Sequence, residues 1–236
     1  MELSDKNQEV ISKFMKLEHV DEFSSPLLVT TNPCYLEGIK KAPVKILYIG
    51  QEVNTWGNSL KHLRLDAKQL EEIYYQFFCL NYATNKDFWK AARSFIEVEK
   101  QDLSKYIIWN NALIAGRKDA KGAPAHAQEL MNISVDYLTY LINYFEPDLI
   151  VTVVGPKDPY YQVLSQLFKN CNIKITGYPT SKNPLIISED NRLYWTYHPN
   201  YLNRIASKKE ILETIKKAVL SLKNRNNKET SYQKHL

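Results

Sequence analysis

Three stretches of the chain put side chains capable of chemistry at the ends of apolar runs. Val44-Lys45-Ile46-Leu47-Tyr48-Ile49 stops at Gly50, and Gln51, Glu52, Asn54 and Trp56 follow in one loop. Tyr106-Ile107-Ile108-Trp109 leads into Asn110 and Asn111, and Leu193-Tyr194-Trp195-Thr196-Tyr197 leads into His198, Pro199 and Asn200. A carboxylate can orient or deprotonate a water, an amide offers a donor and an acceptor together, and a neutral imidazole can donate to an oxygen that gathers charge. Short β-branched runs read as buried strands, and in an open parallel sheet ligands bind just beyond the carboxyl ends of the strands. Parallel strands would bring Glu52, an asparagine and His198 to one edge. Each residue also has an ordinary structural use: Glu52 capping a turn, His198 at a strand end before proline, an asparagine closing a strand. Neighbours on a strand face opposite ways, so either Asn110 or Asn111 could be the inward one.

The elements that must hold these residues are legible in the periodicity. Val10, Ile11, Phe14, Met15 and Leu17 make the apolar stripe of an opening helix. Ser24-Ser25-Pro26 breaks it, Leu27-Leu28-Val29-Thr30 reads as a short extended piece, and Asn32-Pro33-Cys34 and Lys40-Lys41-Ala42-Pro43 read as loops. Helices are expected over residues 65–80 and 85–98, the second capped by Asn85 with Asp87 near its positive end. The loop from Gly116 to Pro124 is mobile by composition. A helix with Leu130, Ile133, Tyr137, Leu141 and Tyr144 on one face follows, and it stops before Pro147. Asp148-Leu149-Ile150-Val151-Thr152-Val153-Val154-Gly155 is a buried strand, so strand, helix and strand form a right-handed parallel crossover. Residues 156–170 read as a helix after an opening turn, and residues 172–176 and 184–188 as short or edge strands. Ser207-Lys208-Lys209-Glu210 has capping-box spacing before a last helix carrying Ile211, Ile215, Ala218, Val219 and Leu222. The predicted fold is a three-layer α/β/α sandwich around a mostly parallel sheet. It forms one domain over residues 1–224, with a polar, basic tail expected to be disordered over 225–236.

With 236 residues the chain can bury one well-filled core. No window is long and apolar enough to span a bilayer, and the N-terminus lacks the pattern of a signal peptide. Cys34, Cys79 and Cys171 are odd in number, far apart and set among apolar neighbours. They read as reduced, buried thiols in a cytoplasmic protein, with no metal or cofactor expected from their spacing. The net charge of +5 is concentrated near the C-terminus, at Lys208, Lys209, Lys216, Lys217, Lys223, Arg225 and Lys228. Such a segment can follow a phosphate backbone, and it can equally be a solvated helix face.

Taken in order, three of these pieces resemble the uracil-DNA glycosylase superfamily. Gly50-Gln51-Glu52-Val53-Asn54 is similar to its first motif, where a carboxylate positions the hydrolytic water. Asn111-Ala112-Leu113-Ile114 is similar to the end of its second central strand, where an asparagine amide reads the base edge. His198-Pro199-Asn200-Tyr201-Leu202 is similar to its His-Pro-Ser-Pro-Leu motif, where the histidine meets the departing base and the next loop presses into DNA. The resemblance spans residues 44–204. It implies that Glu52 and His198 are catalytic, that Gln51, Asn54, Trp56 and Asn111 surround the base, and that Asn200, Tyr201, Leu202 and Arg204 contact DNA. A flipped base needs an aromatic floor, for which Trp56 is the candidate, and Tyr201 with Leu202 would be the wedge. Glu52 stands in place of the usual aspartate, Val53 in place of a proline, and Asn200-Tyr201 in place of Ser-Pro. Three scattered cysteines cannot supply the four ligands of the iron–sulfur branches.

The function implied is that of a monomeric, metal-independent hydrolase that removes uracil or another deaminated base from single- or double-stranded DNA. Two alternatives are a superfamily member that binds nucleic acid without cleaving it, and a small-nucleotide-binding α/β protein. The chain has no P-loop, no glycine-rich dinucleotide fingerprint and no Gly-x-Ser-x-Gly elbow, which demotes nucleotide-cofactor enzymes and serine hydrolases.

Overall fold

The computed structural model describes residues 1–52, 66–80 and 86–233, with side chains to residue 227. Among these residues five strands form a single sheet in the order β2-β1-β3-β5-β4. They are β1 (Ile46–Gly50), β2 (Ile107–Asn111), β3 (Leu149–Val153), β4 (Leu185–Ile187) and β5 (Leu193–Thr196). β1 pairs in parallel with β2 and β3, and β3 with β5, while β4 closes one edge antiparallel to β5. Every residue of β1, β2, β3 and β5 is buried, as expected of strands covered on both faces.

The helices are α1 (Leu3–Phe14), α2 (Pro33–Lys41), α3 (Ala67–Tyr74), α4 (Asp87–Ile96), α5 (Ala127–Phe145), α6 (Tyr160–Asn170), α7 (Pro199–Leu202) and α8 (Lys208–Gln233). α5 packs against α1 and α6, and α4 against α8, giving the three-layer α/β/α arrangement with a mixed, mostly parallel sheet. α8 docks through Ile211, Ile215 and Val219, each worth about 1.5–3 kcal/mol of burial. No helix among the described residues is long and apolar enough to cross a membrane.

β2 is an edge strand, and two tyrosines close its outward backbone groups. The Tyr35 hydroxyl donates to the Ile107 carbonyl at 3.0 Å. The Tyr74 hydroxyl donates to the Trp109 carbonyl at 3.2 Å and accepts the Trp109 N–H at 3.1 Å. An edge satisfied in this way is no template for another strand.

Several expectations are corrected. Asn32-Pro33 opens α2 instead of a loop: Asn32 caps it by accepting the Cys34 N–H at 2.9 Å, with Pro33 in the first turn. Leu27, Leu28 and Val29 are fully buried but join no sheet; the Leu27 N–H bonds the Ile114 carbonyl at 2.8 Å. Residues 172–176 form no strand. Met15 and Tyr144 are exposed instead of lying on the buried stripes of their helices, and Cys34 is exposed while Cys79 is buried. Asn85 lies outside the described residues, and α4 starts at Asp87 after Lys86 with no side-chain cap. α8 runs beyond Asn224, where composition places the start of a polar tail, and Asn226 donates to the Pro43 carbonyl at 2.9 Å.

Candidate active site

The chain leaves β1 and builds β2 on one side of it, then returns to place β3 on the other. That reversal opens a crevice at the carboxyl ends of β1 and β3, the usual ligand position in such sheets. Gln51 and Gly155 follow these two strands, and a Cβ at Gly155 would lie 3.9 Å from Gln51 Nε2. A cleft of about 640 Å³ opens there, lined by Gln51, Gly155, Tyr160, His198, Tyr201 and Arg204 among others.

The sheet register aligns Gly50 with Asn111. Strand alternation leaves open which asparagine serves the site, and hydrogen bonding separates the two. The Asn110 amide is consumed by the scaffold: Nδ2 donates to the Leu27 carbonyl at 3.3 Å and Oδ1 accepts the Asn111 N–H at 2.8 Å. Asn111 is equally buried, yet its Nδ2 has no partner among the described residues. Its Oδ1 sits against Gly50, where a Cβ would come within 2.3 Å. Only glycine leaves room for that carbonyl. A buried amide donor without a partner costs about 1–3 kcal/mol, and this one is left with a hydrogen bond to give.

Phe88, in the first turn of α4, approaches the same glycine and reaches His198. Its Cε2 would be 3.0 Å from a Cβ at Gly50, and its ring stacks on the His198 imidazole with centroids 5.9 Å apart and planes 20° from parallel. His198 is the N-cap of α7, where its Nδ1 accepts the Asn200 N–H at 3.2 Å. That bond leaves Nε2 as the protonated nitrogen of the neutral ring. Burial pushes the His198 pKa below the usual imidazole value, against a smaller upward pull from the Asp87 carboxylate. The residue is therefore a neutral Nε2–H donor at neutral pH.

Glu52 is half-buried beyond β1, and its carboxylate accepts a hydrogen bond from the Tyr160 hydroxyl. Burial raises its pKa; the bonds from Tyr160 and from the Gly122 N–H offset part of that rise. Tyr160 is the first residue of α6 and is itself buried, with a phenol held well above its ordinary range by burial and by the neighbouring Glu52 charge. The pair is a phenol donating to a carboxylate whose basicity is raised by desolvation, the condition a general base requires.

The residues expected to contact DNA separate on inspection. Asn200, Tyr201 and Arg204 are exposed at the cleft. Leu202 is fully buried and is not available as a wedge. Asn54 and Trp56 lie outside the described residues. On the basic last helix, Lys216 pairs with Glu97 at 2.7 Å, while Lys223 donates to the Ile96 carbonyl at 2.7 Å above the Tyr106 ring. These two lysines fasten α8 to its neighbours. Arg117 and Lys118 share a separate crevice with Asp21, Glu22 and Asp119, which leaves it mixed in charge.

Phe88 and Tyr160 escape sequence reasoning because each reaches the edge from the start of a helix packed there by tertiary contacts. The position of Tyr160 carries a faint signal, since it opens the helix that follows a central strand of the same edge. Burial pushes the Cys79 thiol up to about 12 and raises Cys171 as well, which disfavours the thiolate at both. No protein-family model and no curated relative matches the chain.

Proposed function

We propose that the chain is a DNA glycosylase-like hydrolase of the uracil-DNA glycosylase kind, cleaving the N-glycosidic bond of uracil or another deaminated base. The observation that carries this reading is the buried amide nitrogen of Asn111, without a partner among the described residues, at the strand end where Phe88 approaches Gly50 and stacks on His198. A fixed amide with an available donor suits the imide edge of a base, since it can donate to a carbonyl oxygen and accept from a ring N–H. Phe88 supplies an aromatic wall in the described part of the site.

Breaking the glycosidic bond leaves positive charge on the sugar and negative charge on the departing base. In this reading the His198 Nε2–H donates to the base carbonyl oxygen as that charge builds. Glu52, ionised above its raised pKa, accepts a proton from water as the water attacks the anomeric carbon, and its charge favours the cationic sugar. Tyr160 fixes the rotamer of Glu52, which matters because glutamate is one methylene longer than aspartate. Tyr201 fills the space left by the flipped nucleotide, and Arg204 meets a phosphate.

The clamp on Glu52 also favours a second reading, a nucleic-acid-binding module without turnover, because a carboxylate held by a phenol is less free to reach a water. Strand scission by alkali on labelled oligonucleotides carrying uracil, hypoxanthine or xanthine, single-stranded and paired, separates the two. Scission at one of these bases, suppressed by His198→Ala, is the expected result. DNA bound in a salt-sensitive manner with no scission selects the binding module. With neither scission nor binding, both readings fail.

A further inference from the structure

Two turns far apart in the chain carry the same spacing of metal-ligating side chains. His19-Val20-Asp21-Glu22 lies on the 3₁₀ turn after α1, and His126-Ala127-Gln128-Glu129 forms the N-cap and first turn of α5. Residues three apart on a helical turn share a face, and these two faces meet. The His19 and His126 rings stack with centroids 3.5 Å apart and planes 2° from parallel. The carboxylates cross over: Glu129 Oε1 contacts His19 Nδ1, and Glu22 Oε2 lies 3.6 Å from His126 Nε2. Glu129 Oε2 also accepts the His19 N–H at 3.3 Å. One ligand atom from each of His19, His126 and Glu129 lies within 4.8 Å of the others.

We propose that His19, His126 and Glu129, with Glu22 as fourth ligand, form a binding site for a divalent transition-metal ion of the zinc type. Two imidazoles and two carboxylates are a borderline donor set that suits such ions better than calcium or magnesium. Bonds of about 2.1 Å to a tetrahedral ion place ligand atoms about 3.4 Å apart, so the wider pairs need to close by up to about 1.4 Å while the His19–Glu129 contact opens to admit the ion. All three are half-exposed and can turn, and the rings must rotate out of their parallel stack for both nitrogens to face one point. The positive end of the α5 dipole disfavours a cation, and the two carboxylates offset it. The backbone around the site is already fixed, with the Lys118 N–H on the Glu22 carbonyl at 3.1 Å and the Glu129 N–H on the His126 carbonyl at 3.1 Å. A bound ion would tie the segment after α1 to the start of α5. This site is separate from the sheet-edge cleft and independent of its function.

Isothermal titration of the chelator-treated full chain with Zn²⁺ at pH 7.5 tests the proposal, with Co²⁺ as a coloured probe. The expected result is one ion per chain, a visible absorption band with Co²⁺, and a Tm that rises with Zn²⁺ concentration. His126→Ala and Glu129→Gln are each expected to weaken binding at least tenfold and to remove the Tm rise, while Cys34→Ser leaves both unchanged. Far-UV circular dichroism in chelator confirms that the variants are folded; Glu129→Gln serves alone if His126→Ala does not fold. No binding at millimolar Zn²⁺, or equal affinity in wild type and variants, overturns the proposal.

Discussion

Two buried polar clusters in this protein are built on opposite terms. Under α1, Asn7 Nδ2 donates to the Val29 carbonyl at 2.9 Å and to Glu71 Oε1 at 2.7 Å, and its Oδ1 accepts from the Tyr137 hydroxyl at 2.7 Å. Glu71 Oε2 takes the Thr31 hydroxyl and its N–H, and the Val29 N–H closes on the Tyr137 hydroxyl at 2.9 Å. These groups satisfy one another and leave none for a ligand. At the carboxyl edge of the sheet, Asn111 keeps a buried amide nitrogen without a partner among the described residues, and Glu52 carries a desolvated carboxylate. The same residue types, an asparagine and a glutamate, are glue in one place and, in the proposed reading, serve chemistry in the other. What separates them is the state of their hydrogen-bonding capacity, met in the first cluster and left over at Asn111 Nδ2 in the second.

Substitutions that strike one cluster and spare the other sharpen this contrast. Glu71→Ala takes an acceptor from the buried Asn7 amide and from the hydroxyl and N–H of half-buried Thr31, and the expected loss is about 3–5 kcal/mol in urea unfolding. Excision by the remaining folded fraction stays at the wild-type rate. Asn111→Ala reverses the pattern: excision falls about 100-fold while stability changes by less than about 1 kcal/mol. Gly50→Ala falls between them, since the new methyl group would press on the Asn111 carbonyl and on Phe88. It is expected to cost about 1–3 kcal/mol and to lower excision by displacing that amide.

The smallest effect expected is a shift in pH dependence. In the proposed reaction ionised Glu52 acts as base, so the acid limb of the excision profile is expected above the ordinary carboxylate value because burial raises its pKa. Tyr160→Phe removes the donor that partly offsets the burial, and the limb moves to still higher pH. His198 adds no limb above the usual imidazole value, because its pKa is lowered and the neutral donor persists as pH rises. Finding the Tyr160→Phe limb displaced to lower pH would contradict the assigned hydrogen bond.

Most of the scaffold was legible from sequence because the buried strands are short, largely apolar runs and α5, α6 and α8 keep their apolar period. The failures are local. Asn32-Pro33 is as good a helix start as a turn signal, and only the packing of Tyr35 and Ile39 decides for α2. Leu27 to Val29 have strand composition, but their backbone partners are Ile114 and Tyr137 and not a strand. That Glu52, Asn111 and His198 fall at the carboxyl edge is readable because they end or follow strands. The choice of Asn111 over Asn110 required the hydrogen bonds. Phe88 and Tyr160 were not readable because helix packing brings them to the edge. Leu202 looked like a surface wedge, yet α7 turns it into the core.

The central claim is that the carboxyl-edge groups are kept for chemistry at a cost to the fold, and Glu52→Gln tests it most directly. A carboxylate with a raised folded pKa binds its proton more tightly in the folded state than in the unfolded one. The resulting stability is fully present below the ordinary carboxylate pKa and is lost as pH rises through the raised value. Removing the charge therefore helps only above that window. We would measure excision and the urea midpoint of Glu52→Gln together at pH 7 and at acid pH. The account predicts excision lowered at least ~100-fold, a midpoint at pH 7 equal to or above wild type, and a stability difference that shrinks in acid. Unchanged excision with a lowered midpoint at pH 7 would make Glu52 a structural residue like Glu71 and contradict the account.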